Sequence, residues 1–286
     1  MKSICIKTNN TEIIDYLLKS AEKLNIENIY ISIKKFKHFN NFIIHYIGTE
    51  YIKFNTFLSN LLTKIVIEFY EENILNQSIN LNFFYFDLSE KNKIIKNAKN
   101  LLNEEKNYYS KYDILNNELY IKIANSHSLY LQAFIDFNLN DYTNFLNTQL
   151  DLAVNKFLID KEYVEFVNIL KLYIKSEAEN SKIEHLHLIY KNKNSIIIDD
   201  DKNIVSCNDN IKKSKYVSDI TFSANDYALN TLLSLVPKKI TIHLVDNYPD
   251  EFINTLLLIF QDKIKICEDC DICNMYRIKN ARTDKL

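Results

Sequence analysis

Glycine and proline are nearly absent: the chain has one glycine, Gly48, and two prolines. A P-loop and the glycine-rich turn of a dinucleotide-binding domain both need several glycines, because their backbones adopt positive φ angles and approach phosphates closely. The sequence therefore excludes a P-loop nucleotidase and a standard Rossmann dehydrogenase. With so few residues that interrupt helices, long helices are also expected.

Excess charge and long hydrophobic runs are lacking as well. The formal net charge is -2 and no large basic stripe is present, so nucleic-acid binding has no electrostatic support. No apolar run approaches the roughly 20 residues that span a bilayer, and residues 1–5 lack the basic and apolar blocks of a signal peptide. We therefore expect a cytoplasmic protein without a membrane span. In that compartment thiols stay reduced, and clustered cysteines favour metal or redox chemistry over disulfides.

The apolar content of 47% and the charged content of 25% are those of a globular protein. Residues 1–48 show the order strand, helix, strand, strand and predict a small α/β unit. Residues 49–180 show apolar residues at helical spacing over many turns and predict an antiparallel helical bundle, with 109–137 mostly helical and separate helices at 141–159 and 161–177.

Residues 181–286 predict a C-terminal α/β domain. Three short strands, at 183–190, 195–199 and 203–207, are followed by the order helix, strand, helix, strand, which is typical of parallel strands joined by crossover helices. The predicted fold class is thus mixed α+β, with a partly parallel C-terminal sheet that ends in a Cys-x-x-Cys-x-x-Cys loop.

Three of the five cysteines, Cys267, Cys270 and Cys273, stand at equal spacing after the last predicted strand. This spacing allows the three sulfurs to converge on one cation. A structural zinc site requires four ligands in a tetrahedron, and an iron–sulfur cluster usually requires four cysteines. The loop supplies three, so a fourth ligand must come from elsewhere or from water.

Two residues are candidates for the fourth ligand. His243 lies near the end of the predicted strand 239–245, and in a parallel pair with strand 263–267 it shares one face of the sheet with Cys267. Cys207, at the end of an earlier strand, is the other candidate, although Cys207 and Cys5 are both better explained as inert core thiols. A half-buried histidine hydrogen-bonded to the backbone is the alternative for His243.

Two weaker patterns have simple structural explanations. His185 and His187 share one face of a strand, as a metal site would require, but a solvent-facing alternation explains them better. Asp199, Asp200 and Asp201 stand between two predicted strands, where a solvated turn is favoured over a Mg²⁺ or Ca²⁺ site because the spacing of a calcium loop is absent.

The C-terminal two thirds of the chain resembles the YtxC-like sporulation proteins of endospore-forming Firmicutes. The resemblance rests on residues 142–173, on Leu-Leu-Ser-Leu-Val-Pro-x-x-Ile-x-Ile-His at 232–243, on Asn-Thr-x-x-x-Ile-Phe at 254–260, and on the cysteine triplet. It implies a role in sporulation and an unknown protein partner in the sporulating cell. It supplies no activity and no cofactor.

Three functional hypotheses follow. The first is a binding or regulatory module with a structural Zn²⁺ held by Cys267, Cys270, Cys273 and His243. The second is a redox or iron–sulfur enzyme or sensor that uses the same thiols. The third is a non-catalytic helical scaffold. Thiolate ligands suit zinc, iron–sulfur clusters and copper(I), so the spacing does not identify the metal.

Overall fold

A computed structural model describes residues 1–22, 28–37, 39–205, 223–245, 248–267 and 269–278. The chain divides into two compact units, Met1–Ile159 and Asp160–Leu286. The division at residues 48 and 180 that the hydropathy pattern suggests stays a prediction.

The N-terminal unit begins with a four-stranded sheet in the order β2-β3-β1-β4. Its strands are β1 (Lys2–Thr8), β2 (Ile29–Lys35), β3 (Asn40–Tyr46) and β4 (Ser128–Tyr130). β3 pairs antiparallel with β1 and β2, and β4 pairs parallel with β1. Alternate residues of β1 and β3 are buried, and Ile4 pairs with Ile44 and Ile6 with Phe42. The period of two in the sequence therefore sets one apolar face against the core.

The other elements of this unit that the structure describes are helices. They are α1 (Thr11–Glu22), α2 (Tyr51–Phe69), α3 (Glu71–Asn82), α4 (Leu88–Asn103), α5 (Glu105–Asn125), α6 (Leu131–Asn138) and the first part of α7 (Asn140–Glu177). α2 contributes Leu58, Leu62 and Ile65 to the core that also contains the apolar face of the sheet. A smaller apolar cluster joins α3, α4 and α7 through Ile79, Ile94 and Leu150.

The helical region differs from the sequence-based expectation in two details. Residues 128–130 are extended, because Leu129 is buried beside β1, opposite Ile6. The two helices expected at 141–159 and 161–177 form the single helix α7, since no proline or glycine stands between them to interrupt it.

The C-terminal unit contains the second sheet, in the order β6-β5-β7-β8. Its elements are β5 (His185–Lys191), β6 (Asn194–Ile198), α8 (Ala224–Leu235), β7 (Lys239–Leu244), α9 (Glu251–Phe260), β8 (Ile264–Cys267) and α10 (Asp271–Ile278). β5 pairs antiparallel with β6, whereas β5, β7 and β8 are parallel. The predicted mixed α+β class with a partly parallel sheet is confirmed. Of the predicted strand at 203–207, the described part makes an isolated bridge between Ile198 and Ile204.

The two faces of this second sheet have different chemistry. One face carries Leu186, Leu188, Ile240 and Ile242, which pack with apolar residues of α8 and α9. The other face carries His185, His187, Thr241 and His243 on β5 and β7. A few apolar residues, Ile189, Ile198 and Val245, pack against Ile272 and Tyr276 of α10 on this second face. Histidines and cysteines thus converge on the face away from the main core.

Among the described helices, none combines the length and the apolar composition that crossing a membrane requires.

Candidate metal centre

The register of β7 and β8 positions the first two candidate ligands. His243 pairs with Cys267 in the parallel ladder, so both side chains leave the sheet on the same face. His243 is 2% exposed. Its imidazole is therefore held inside the protein beside the end of β8.

The start of α10 positions the other two candidate ligands, Cys270 and Cys273. Cys270 immediately precedes the helix, its carbonyl oxygen accepts a hydrogen bond from the Asn274 N–H (3.0 Å), and Cys273 lies in the first turn. The segment that the sequence presents as a loop is thus a strand end, a short turn and a helix start. Arg277 Nη1 donates a hydrogen bond to Asp269 Oδ1 (3.1 Å), which links the turn to the last part of α10.

Four side chains converge at this place, and we call Cys267, Cys270, Cys273 and His243 the thiolate cluster. Their potential ligand atoms all lie within 4.8 Å of one another. Cys273 Sγ lies 3.8 Å from both Cys270 Sγ and Cys267 Sγ. His243 Nδ1 lies 3.4 Å from Cys270 Sγ and from Cys273 Sγ.

These distances fit a tetrahedral ion. With Zn–S bonds of about 2.3 Å and a Zn–N bond of about 2.0 Å, a regular tetrahedron separates two sulfurs by about 3.8 Å and a sulfur from the nitrogen by about 3.5 Å. The four separations given above agree with these values to within a few tenths of an ångström, and the remaining two pairs of ligand atoms lie within 4.8 Å. Four protein ligands fill such a site, which is the pattern of structural rather than catalytic zinc.

The ionisation of these groups also depends on their surroundings. Burial, and then the His187 and His185 rings, lower the pKa of His243 to about 4, so its imidazole is neutral at pH 7 and keeps a lone pair for a metal. Burial and the neighbouring thiols raise the pKa of Cys267 to about 12. Burial opposes ionisation of Cys270 too, but the backbone N–H groups of Cys273 and Ile272 at the helix start lower its pKa.

A chain of polar contacts continues from His243 along the sheet face. His243 Nε2 lies 2.9 Å from His187 Nδ1. His187 Nε2 lies 3.1 Å, and His185 Nδ1 2.7 Å, from the same oxygen of Asp200. His185 Nε2 in turn lies 2.8 Å from Thr241 Oγ1. We call His185, His187 and Asp200 the imidazole cluster.

The sequence pattern predicts that His185 and His187 face solvent and that Asp200 lies in a solvated turn. Asp200 does lie in an exposed turn after β6, whereas both histidines are half-buried and lie against it. The usable signal was the His-x-His spacing on a strand followed by the aspartate run, but the proximity of these residues depends on the register of β5 against β6. Of the remaining candidates, Cys5 lies on β1 in the N-terminal unit, and Cys207 lies outside the described residues.

The fold and the site define a mixed α+β protein with two four-stranded sheets and a Cys₃His cluster that could hold a metal ion. The chain belongs to the YtxC-like family, whose sequence profile matches residues 56–265, and the expected family is thereby confirmed. That match includes His243 and ends before Cys267.

A related protein, "Uncharacterized protein YtxC" of Bacillus subtilis (strain 168), is 19% identical over 219 residues, which cover 73% of this chain and 76% of the relative. No solved structure matches the chain.

Proposed function

We propose that this protein is a sporulation-associated cytoplasmic binding or regulatory module that holds one Zn²⁺ in the thiolate cluster. Membership in the YtxC-like family supports the link to sporulation that the resemblance implies. Cytoplasmic residence would keep the cysteines reduced and available to a metal. The partner would be another protein of the sporulating cell.

The observation that carries the metal proposal is the convergence of three sulfurs and one neutral imidazole within 4.8 Å, with four of their six separations at near-tetrahedral values. In this arrangement Cys267, Cys270, Cys273 and His243 Nδ1 are the ligands, and the ion joins β7, β8 and the start of α10. Because the four ligands converge only when the chain is folded, the free energy of zinc binding would contribute to the stability of the C-terminal unit. Zinc therefore has a structural role here.

A second candidate is a redox or iron–sulfur role for the same thiols, which the lowering of the Cys270 pKa by backbone N–H groups favours. A thiolate reacts faster than a thiol, and a cysteine at a helix start beside two other cysteines resembles a redox pair. The fourth donor argues against a cluster bound by four cysteines, since the described residues supply a nitrogen at that position.

The test is elemental analysis of protein purified without a metal-binding tag. We expect about one zinc per chain and no visible colour. Cys270→Ser should reduce the zinc content severalfold because it removes one of four ligands, whereas the matched control Cys5→Ser should retain it. Circular dichroism would establish that both variants fold.

Other outcomes of the same experiment would favour one of the two alternative functions. A brown protein that contains iron and sulfide would select the iron–sulfur alternative. Absence of metal from the wild-type protein, together with three thiols that react freely with a thiol reagent, would contradict the metal proposal and leave the helical scaffold as the better account.

A further inference from the structure

The imidazole cluster has the donor set of a second kind of metal site. It combines two imidazole nitrogens with one carboxylate oxygen, all within 4.8 Å of one another. His185 and His187 are separated by one residue on β5, so their rings stand on the same face of the sheet. Asp200, in the turn after β6, lies against both rings. Two histidines and one carboxylate form the ligand set of many zinc and non-haem iron sites.

The ligand atoms already point toward one another. His185 Nδ1 and His187 Nε2 lie 2.7 Å and 3.1 Å from Asp200 Oδ1. These short separations would widen slightly as the three atoms accommodated an ion, and a turn side chain that is 64% exposed can make that adjustment.

Each histidine ring also has a polar contact at the nitrogen that does not face Asp200. His185 Nε2 contacts the Thr241 hydroxyl at 2.8 Å, and His187 Nδ1 contacts His243 Nε2 at 2.9 Å. In metal sites, the nitrogen of a histidine that does not bind the ion is normally hydrogen-bonded in this way, because the bond fixes the ring orientation and the tautomer. The support for His185 does not depend on the thiolate cluster. The support for His187 is of this kind while His243 Nδ1 carries no metal, because His243 Nε2 then accepts the hydrogen of His187 Nδ1.

We propose that His185, His187 and Asp200 bind a second divalent ion of the first transition series, separate from the thiolate cluster. The donors are nitrogen and oxygen only, so this site accepts Mn²⁺, Fe²⁺, Co²⁺ or Zn²⁺ without selecting for a thiophilic metal. Three protein ligands leave coordination positions open, and the exposure of Asp200 puts these positions in contact with solvent. The ion would therefore bind water or a small anionic oxygen ligand, in contrast to the closed Cys₃His site.

The hydrogen bond between His187 and His243 makes the two sites interdependent. A metal on His243 Nδ1 leaves the hydrogen on Nε2, which then donates to His187 Nδ1. A neutral His187 must in that case keep its own hydrogen on Nε2, the nitrogen that faces Asp200. The second ion can bind His187 only if this hydrogen bond breaks, so filling one site weakens the other, and the effect is reciprocal.

The test is titration of the full-length protein with Mn²⁺, which favours oxygen and nitrogen ligands over thiolates, followed by electron paramagnetic resonance. We expect saturable binding of about one ion per chain, weakened roughly tenfold or more by Asp200→Asn and by His185→Ala. The matched control is Asp201→Asn, which removes a carboxylate from the neighbouring exposed position and should leave binding unchanged.

Two results would overturn the proposal. One is the absence of saturable Mn²⁺ binding; the other is Mn²⁺ binding that Asp200→Asn and His185→Ala leave unaltered although both variants fold normally by circular dichroism. The imidazole cluster includes no residue of the thiolate cluster, although the hydrogen bond between His187 and His243 couples the two affinities. Cys270→Ser should leave Mn²⁺ binding intact or strengthen it, while Asp200→Asn should retain the zinc ion of the thiolate cluster, about one per chain, so failure of one site is distinguishable from failure of the other.

Discussion

A buried ion pair in the N-terminal unit joins α5 to α3. Lys111 is fully buried in α5, and its ammonium group donates to the Glu71 carboxylate at 2.9 Å. Tyr142 donates its hydroxyl to the other oxygen of Glu71 at 2.7 Å. Lysine in a polar helix is ordinarily assigned to the surface. Its burial depends on partners from α3 and α7, which local pattern does not reveal.

Replacing Lys111 should lower the free energy of unfolding. Lys111→Met would leave the Glu71 carboxylate buried without its cation, and we expect a loss of about 3–5 kcal/mol in the free energy of unfolding. Urea unfolding at pH 7 followed by circular dichroism measures it. The matched control is the double variant Lys111→Met with Glu71→Gln, which should recover much of the loss because no buried charge is left unpaired. If Lys111→Met alone were as stable as the wild type, the unpaired Glu71 carboxylate would have to be hydrated, which would contradict its burial.

At the scale of elements, the parallel pairing of β7 and β8 could be predicted from the sequence. Their alternating patterns and the intervening helix α9 indicate a parallel crossover, which sets His243 opposite Cys267. The pairing of β5 with β7, which brings Thr241 and His243 to the histidine rings, could not be predicted, since these strands are distant in sequence and β5 also pairs with β6. The neighbouring strands β5 and β6 could be predicted, but their register could not, and this register sets Asp200 against His185 and His187.

The start of α9 provides an element-scale prediction. Asp250 caps the helix by accepting a hydrogen bond from the Ile253 N–H, and it also accepts one from the Tyr190 hydroxyl on β5. Burial opposes its ionisation, but these hydrogen bonds lower the pKa of Asp250, while burial and the carboxylate raise the pKa of Tyr190 to about 12. Asp250→Ala should therefore lower stability at pH 7 by about 1–2 kcal/mol.

The loss of unfolding free energy caused by Asp250→Ala should become smaller as the pH falls. A carboxyl group whose pKa is lower in the folded state stabilises the fold above its unfolded pKa of about 3.9 and loses that contribution as the pH falls through the folded value. Unfolding of both proteins by urea at pH 7, 5 and 3 would measure this. The difference between them should be constant from pH 7 to pH 5 and then shrink, and a difference that grew toward pH 3 would contradict the assignment.

At the scale of the whole molecule, the two units have separate apolar cores, and every residue of the thiolate cluster belongs to the C-terminal unit. The mixed α+β class and the cysteine-rich end of this unit could be predicted from sequence, because hydrophobic period and cysteine spacing are local properties. The strand β4 could not, because its extended conformation depends on the packing of Leu129 beside β1. The continuity of α7 is itself a local property, since no proline or glycine interrupts the helix near residue 160.

Removal of metal should consequently lower the stability of the C-terminal unit and leave that of the N-terminal unit unchanged. α10 has eight residues, too few to persist without tertiary support, and its described apolar contacts to the sheet involve Ile272 and Tyr276. With zinc removed by a chelator, Cys273 would lose its link to β7 and β8. Amide hydrogen exchange measured with and without chelator should therefore rise by an order of magnitude or more at residues 264–278.

The strands β1 and β3 serve as the internal reference in that measurement, because they lie in the N-terminal unit and contain no ligand. Lys111→Met supplies the reciprocal control: it should raise exchange in the N-terminal unit while the zinc content stays at its wild-type value. If chelation raised exchange equally in β1, β3 and α10, the metal would be stabilising the chain as a single cooperative unit. If it raised exchange nowhere, the ligands would hold their positions by packing alone, and zinc would have no structural role at this site.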